Sequence, residues 1–296
     1  MVNLALSWQQ AAAGACCLGA AAWGLLKGSQ FACGRTRRAA GLAAAGRFVR
    51  ETALVVGLFA LWQFAGSFSV MGPDGAMSRA RWLWHAERAL MLPSEAGLQR
   101  LVLPHPLVVQ AFDLYYDILH FPVLLICLIW LFVRHRDRYG RLRTTLVAFT
   151  GICLLIQLVP VAPPRMLSGM VDTAARYGQS VYGRGFDADQ LSAMPSVHVG
   201  WAILVAIAVI GAARSRWRWL AIAYPVVTTI AVVVTANHFW LDGIAAAAVL
   251  GVVIAAQAAS RRMLDRKITD AHGPEPSQPV GLLTACKDLS DGAYFP

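Results

Sequence analysis

Apolar stretches of about 20 residues recur along this 296-residue chain, and short arginine-rich blocks separate several of them. A helix of that length matches the hydrocarbon thickness of a bilayer. Hydrophobic residues make up 57% of the chain and charged residues only 14%, which is too apolar for an ordinary soluble domain. The pattern therefore predicts an all-α polytopic membrane protein.

Seven membrane spans are predicted from the apolar stretches and the charges between them. They cover residues of about 5–26, 52–71, 110–133, 144–162, 196–213, 219–236 and 239–259. No basic residue precedes the first span, so we expect a membrane helix there rather than a cleaved signal peptide. This helix is an N-terminal addition to the six spans that follow.

The basic residues predict the orientation of these spans. Nineteen Lys and Arg fall in the segments on one side of the predicted topology, and seven fall on the other, where six acids nearly balance them. Cytoplasmic loops are enriched in Lys and Arg, so the first side is predicted to be cytoplasmic. Membrane orientation thus explains the net charge of +10, and we expect no nucleic-acid partner.

Three regions follow from the same pattern. Residues 1–50 hold the N-terminal helix and a basic cytoplasmic linker, and residues 51–262 form the membrane-embedded domain. Residues 263–296 are polar and contain Gly, Pro and Ser, so we predict a disordered cytoplasmic tail.

The segment between residues 71 and 105 is too polar to cross the membrane. Trp82, Leu83 and Ala86 recur there at helical spacing, which predicts a short helix lying in the outer interface. The sequence Pro93-Ser94-Glu95 predicts the end of that helix and the start of another.

Two histidines stand at the predicted outer ends of membrane helices. His198 follows the sequence Met194-Pro195-Ser196-Val197, while His238 follows Asn237 and precedes Asp242 by four residues. Residues four apart share one face of a helix, so Asp242 is predicted to fix the tautomer of His238. Imidazole exchanges protons near neutral pH, which makes both histidines candidates for chemistry.

Other polar side chains belong to the same predicted outer face. Tyr115, Tyr116 and His120 lie at the outer end of the third span, where polar groups usually face a bundle interior or a wet cavity. Arg165 follows two prolines at the end of the fourth span and supplies a cation. An oriented histidine, a second histidine and a cation are the equipment for phosphoryl transfer through a nucleophilic histidine.

These motifs resemble those of a known family. Met194 to His198 resembles the P-S-G-H motif of the type-2 phosphatidic acid phosphatase superfamily, with Val197 where glycine is common. His238 with Asp242 resembles the last motif of that superfamily, and Arg165 lies where its first basic motif is expected.

The resemblance covers residues of about 110–259. The order and spacing of the motifs, together with Tyr115, Tyr116 and His120, look most like the inositolphosphotransferase branch, which is related to fungal inositol phosphorylceramide synthase. The resemblance implies a six-helix phosphatase-type bundle that works without a metal or another cofactor.

The resemblance also implies a mechanism and a substrate class. His238 would attack the phosphorus of a lipid phosphate or phosphodiester, with Asp242 holding its other ring nitrogen. His198 would protonate the leaving oxygen and later activate the acceptor. Water as the acceptor gives a phosphatase, whereas an alcohol such as inositol gives a transferase.

The sequence lacks one of the family's usual phosphate-binding motifs. The Ser-Arg pair that usually precedes the last histidine of the family is absent, and valines 232–234 occupy that region. Phosphate charge would rest on Arg165, on Asn237 and on the backbone at Ser196, with either Arg176 or Arg184 as a second cation.

The side chains of Tyr115, Tyr116 and His120 have two alternative roles. They either line the pocket for the acceptor or hydrogen-bond between helices.

We expect a multi-pass protein of the plasma membrane with its site on the extracytoplasmic face. The competing hypothesis is a proton-coupled transporter of a lipid or small molecule that uses His198, His238 and Asp242 as a relay.

Overall fold

A computed structural model describes residues 7–31, 37–66, 75–179 and 190–272. Within these ranges the regular structure is helical, and the only β-type pairing is one isolated bridge. The predicted all-α class is confirmed.

The helices are numbered in chain order. In the described residues they are α1 (Trp8–Phe31), α2 (Arg37–Gly66), α3 (Ala76–Ala89), α4 (Glu95–Val102), α5 (Pro106–Leu114), α6 (His120–Arg134), α7 (Arg136–Gln157), α8 (Thr173–Arg176), α9 (Val197–Ala212), α10 (Ala223–Val234) and α11 (Trp240–His272). A π-helical turn, Tyr115–Leu119, joins α5 to α6, and 3₁₀ turns cover Pro164–Met166 and Arg216–Ile222.

Several of these helices are long and apolar enough to cross a membrane. In the described residues five qualify, namely Trp8–Phe31, Pro106–Arg134, Arg136–Gln157, Arg216–Val234 and Trp240–Lys267. Helix α9 is apolar and shorter. The predicted span of about 52–71 falls on α2 as far as Gly66, and its last residues lie outside the described ranges. The polytopic membrane class is therefore confirmed.

The chain divides into two compact units, residues 1–254 and Ala255–Pro296. In its described part the second unit is the C-terminal portion of α11. Residues 273–296, most of the predicted tail, lie outside the described residues. The three predicted regions remain predictions.

Helices α6, α7, α9 and α11 meet in an apolar core. Its most deeply buried large side chains are those of Leu131, Phe149, Leu204 and Leu250, and the smaller Cys153 and Ala246 are fully buried. The Phe149 ring lies against Gly200, and the Trp201 indole N–H donates to the Thr150 hydroxyl at 2.9 Å. Close packing of α9 on α7 fixes the helix whose first turn carries His198.

Gly200 is the position where this packing leaves no room for a larger side chain. We predict that Gly200→Ala lowers the free energy of unfolding by about 1–3 kcal/mol, because the added Cβ overlaps the buried Phe149 ring. Thermal unfolding in detergent measures the loss. Gly151→Ala on α7 is the matched control, since a Cβ there meets nothing within 4 Å. Equal stability of both variants and the wild type contradicts the prediction.

Helices α3 and α4 pack against the loops that carry the histidines. The buried positions of α3 are Ala76, Ala80, Leu83 and Glu87, whose spacing forms one stripe. This stripe contacts the segments around Val161, Ala193 and Phe239. Ser94 caps α4 by accepting the Gly97 N–H at 3.3 Å, which confirms the predicted helix start.

Candidate active site

The connection between α10 and α11 places His238. Helix α10 closes in a Schellman motif, in which the Asn237 and Ala236 N–H groups donate to the carbonyls of Val232 and Val233, respectively. Ala236 adopts a left-handed φ of 53°, a conformation usually taken by glycine. Non-glycine residues in such conformations cluster at functional sites. The turn brings His238 directly after the closed helix end.

Asp242 organises the start of α11. Its Oδ2 accepts the Phe239 N–H at 2.8 Å, as the third residue of a capping box does. Its backbone carbonyl accepts the Ser196 N–H at 3.0 Å, which ties α11 to the start of α9. Asp242 is fully buried. Asp242 therefore fixes the start of α11 through its carboxylate and ties it to the start of α9 through its backbone carbonyl.

The hydrogen bond of His238 defines its tautomer. Nδ1 lies 2.7 Å from the Ala193 carbonyl oxygen, which can only accept, so Nδ1 carries the hydrogen. The other ring nitrogen, Nε2, then holds a lone pair. Nδ1 lies 3.4 Å from Asp242 Oδ2.

This arrangement corrects the predicted geometry of the His–Asp pair. His238 precedes α11, which begins at Trp240, so the pair does not share a helix face as expected. The nearer partner of Nδ1 is the Ala193 carbonyl, a backbone group. Asp242 lies close enough to stabilise a positive charge on the ring.

Burial controls the protonation of His238. Loss of solvation lowers its pKa to about 4, against the opposing effect of the Ala193 hydrogen bond, and the charge of Arg165 lowers it further. The ring is thus neutral at physiological pH. A neutral imidazole with a free Nε2 lone pair is the nucleophilic form.

Replacing Asp242 by Asn tests how much the carboxylate adds. We predict a fall in kcat of about 10²-fold, below the 10⁴-fold seen where the aspartate also sets the tautomer. The Ala193 carbonyl keeps the tautomer, and an Asn side-chain oxygen still accepts the Phe239 N–H. Steady-state turnover checks this, with thermal unfolding to confirm folding. A 10⁴-fold loss in a folded variant would show that Asp242 sets the tautomer.

His198 lies beside His238 at the first turn of α9. The centroids of the two rings are 5.7 Å apart. Ser196 caps the helix by accepting the Val199 N–H at 3.4 Å, and it is fully buried. In the described residues the N–H groups of Val197 and His198 have no acceptor, so they are available to an anion.

Arg165 is held next to His238 by a preorganised network. It is buried, its Nη1 donates to Asn237 Oδ1, and its backbone N–H donates to the Ala236 carbonyl at 2.8 Å. Its Nε lies 3.4 Å from Asp172 Oδ2, and Asn237 Nδ2 donates to Thr235 Oγ1 at 2.8 Å. The structure thus brings the predicted residues Arg165 and Asn237 together with the histidine.

The π-helical turn between α5 and α6 adds an aromatic wall. Such wide turns recur at functional sites. The Tyr116 ring lies 4.4 Å from the His198 ring and 6.4 Å from the His238 ring, between centroids. His120 lies 4.7 Å from His198 and stacks on Trp201 at 5.5 Å. Tyr116 and His120 therefore belong to the site.

Tyr115 lies elsewhere. Its hydroxyl is 2.8 Å from Thr228 Oγ1 on α10, which favours the alternative of hydrogen bonding between helices.

Of the two proposed second cations, Arg176 is exposed with its guanidinium over the Tyr177 ring. Arg184 lies outside the described residues.

Sequence reasoning missed several groups around the histidines. Trp201 follows His198 by three residues, a helical spacing that could have indicated it. The Tyr224 hydroxyl lies 3.3 Å from His120 Nδ1, a contact between α10 and α6. Glu87 and Glu95 are fully buried nearby. Across the described ranges, no group of three His, Cys, Asp or Glu is arranged to hold a metal ion.

The structure thus shows a helical membrane protein in which two histidines, an arginine and an aspartate lie together. A family model described as the PAP2 superfamily matches residues 81–256, more than half of the chain. The chain therefore belongs to the PAP2 superfamily, the type-2 phosphatidic acid phosphatases, whose members are generally phosphatases. No curated protein and no solved structure matches the chain. The match extends over α4 and most of α3, which the resemblance in the motifs did not cover.

Proposed function

We propose that this protein is an integral membrane phosphatase or phosphotransferase that acts on a lipid phosphate or phosphodiester through a phosphohistidine at His238. The PAP2 superfamily match supports the phosphatase-type chemistry. The observation that carries the proposal is the hydrogen bond from His238 Nδ1 to the Ala193 carbonyl. It leaves Nε2 as a lone-pair donor in a buried, neutral ring.

The reaction has two balanced halves. His238 Nε2 attacks phosphorus, the bond from phosphorus to the leaving oxygen breaks, and that oxygen takes a proton from His198. In the second half the acceptor hydroxyl gives its proton to His198, its oxygen attacks phosphorus, and the bond between phosphorus and Nε2 breaks. His198 ends protonated and His238 neutral, so each turnover restores the site.

Charge on the phosphoryl oxygens needs fixed donors. The Arg165 guanidinium and the N–H groups of Val197 and His198 supply them beside His238. Asn237 orients Arg165 through its side-chain oxygen. Asp242 offsets the positive charge that develops on the attacked ring.

The acceptor is water or an alcohol such as inositol. It must approach His198, which takes its proton, and the Tyr116 ring lies 4.4 Å from that histidine. The basic segments predict that this face is extracytoplasmic. We propose the plasma membrane as the location of this multi-pass enzyme.

Turnover of a lipid panel tests the proposal. Detergent-purified wild type and His238→Ala are incubated with phosphatidic acid, a lipid pyrophosphate and phosphatidylinositol, in EDTA, with and without inositol and a lipid alcohol. We expect metal-independent release of phosphate or headgroup that the variant lacks. A new phosphodiester formed only with an added alcohol identifies a transferase. No turnover, together with proton-coupled flux in liposomes that His238→Ala abolishes, overturns the proposal in favour of transport.

A further inference from the structure

A pair of carboxyl side chains lies behind the active site and has no part in the chemistry described above. Glu87 is at the end of α3 and Glu95 at the start of α4, and both are fully buried. Burying two carboxyl groups together is costly unless a proton or a cation compensates their charge. The groups that contact Glu87 and Glu95 therefore determine the charge and the role of this pair.

The pair contacts the first turn of α11 directly. Glu87 Oε1 accepts the Leu241 N–H at 2.7 Å, one residue before Asp242. The Trp240 indole N–H donates to the Pro93 carbonyl at 2.9 Å, which adds a second tie between the same segments. The position of the Asp242 carboxylate next to His238 thus depends on where α3 and α4 sit.

The charges around Glu87 do not balance if every acid is ionised. Arg88 Nη2 lies 3.2 Å from Glu95 Oε2 and 4.0 Å from Glu87 Oε2. Asp242 on α11 is a third carboxyl group that acts on Glu87. One guanidinium therefore faces the two carboxyl groups of α3 and α4, and the third carboxyl group, on α11, adds a further negative charge near Glu87.

One shared proton removes this imbalance. Glu87 Oε2 and Glu95 Oε1 have no hydrogen-bond donor among the described residues, and one nitrogen of Arg88 lies within 4.0 Å of both carboxyl groups. A proton between them supplies the missing donor, as in other carboxyl pairs that share a site. Burial and the neighbouring Glu95 raise the pKa of Glu87 far above its ordinary range.

We propose that Glu87 and Glu95 share one proton at neutral pH and that the Glu87 carbonyl oxygen, bound to the Leu241 N–H, positions Asp242 beside His238. Glu87 is thus a positioning residue that acts through the start of α11. Its effect on turnover rests on the function proposed above. The protonation of the pair does not.

The pair makes the site sensitive to alkaline pH. An unfolded chain releases the Glu87 proton near the ordinary glutamate pKa, whereas the folded chain holds it to higher pH. The folded state binds more protons in that window, so the free energy of unfolding falls as the pH rises. Once the proton is lost, the carboxylates of Glu87 and Glu95 repel each other and the nearby carboxylate of Asp242. This repulsion displaces the start of α11, although the bond from the Leu241 N–H to an ionised oxygen is itself stronger. Activity should therefore fall on the alkaline side.

Three variants and one control variant test the positioning role of Glu87 in the full-length, detergent-purified enzyme. Glu87→Ala removes the acceptor of the Leu241 N–H, so kcat should fall about 10-fold with little change in KM, since one hydrogen bond is lost. Glu87→Gln keeps an oxygen acceptor and an N–H₂ donor toward Glu95, so it should restore most of kcat and abolish the alkaline loss. Glu95→Gln should likewise abolish that loss.

Glu51→Gln is the matched control. Glu51 is a buried carboxylate on α2 that pairs with Arg143 and Tyr139 and touches no residue of the site. This variant should keep the wild-type pH profile. If Glu87→Gln and Glu95→Gln also keep it, or if Glu87→Ala changes KM alone, the positioning role is overturned.

Infrared spectroscopy tests the shared proton without any substrate. In D₂O near neutral pH the wild type should show a protonated carboxyl C=O stretch that both Glu87→Gln and Glu95→Gln reduce and Glu51→Gln leaves intact. An unchanged band in both variants overturns the shared proton. If the band behaves as expected but the wild type turns over no lipid, the proposed function fails while the proton assignment stands.

Discussion

Replacing His238 by Ala should abolish turnover of every lipid phosphate that the wild type accepts, with a loss of at least about 10⁴-fold. The proposed nucleophile is the Nε2 lone pair of this ring. The hydrogen bond from Nδ1 to the Ala193 carbonyl holds the ring in place. Without the ring, the proposed covalent intermediate cannot form. Rapid quenching with a radiolabelled phosphate ester should trap an acid-labile, base-stable phosphoenzyme in the wild type and none in the variant.

Two further measurements separate a nucleophile from a structural residue. His238→Gly with added imidazole should recover part of the turnover, because free imidazole can enter the vacated space and accept the phosphoryl group. His135→Ala, at the turn between α6 and α7, is the control histidine and should remain fully active. A labelled phosphoenzyme in folded His238→Ala would rule out this residue as the nucleophile.

Replacing His198 by Gln should slow turnover of natural lipid phosphates by about 10²–10⁴-fold, the usual contribution of a general acid. The loss should depend on the leaving group. An alkoxide needs a proton as it departs, whereas p-nitrophenolate does not. With a p-nitrophenyl ester, formation of the phosphoenzyme should therefore stay near the wild-type rate, and the phosphoenzyme should accumulate because the acceptor is no longer activated.

The control for His198 is a change in the same aromatic wall that leaves the His198 imidazole in place. Tyr116→Phe keeps the ring 4.4 Å from His198 and should show no dependence on the leaving group. Burst kinetics with both esters distinguish the variants. An equal loss on both esters for His198→Gln would show that His198 positions the substrate and is not the acid.

Local patterns were sufficient for much of this protein. Apolar spans with arginines between them predicted the membrane helices, because lipid selects composition over a fixed length. Ser94 and Ser196 predicted helix starts, because a cap acts within three residues. The sequence also identified His198, His238 and Arg165, whose spacing resembles family motifs.

The structure corrected the predictions that assumed a regular helix around the site residues. The four-residue spacing predicted that His238 and Asp242 share one helix face. In the structure His238 lies between the Schellman turn at Ala236, which ends α10, and the start of α11 at Trp240. Nothing local marks that turn, since alanine stands where glycine is usual. Tyr115 and Tyr116 are adjacent and chemically alike, yet the π-helical turn directs one to α10 and the other to His198.

The sequence by itself determined the class of protein, the course of most of its helices and the residue types of the proposed reaction. Only the tertiary structure decided that the Ala193 carbonyl, 45 residues away, sets the tautomer of His238. It alone placed Glu87 on the Leu241 N–H across 154 residues. The physical reason is that a backbone carbonyl or N–H is the same in every residue. Its partner is chosen by packing, which no local pattern encodes.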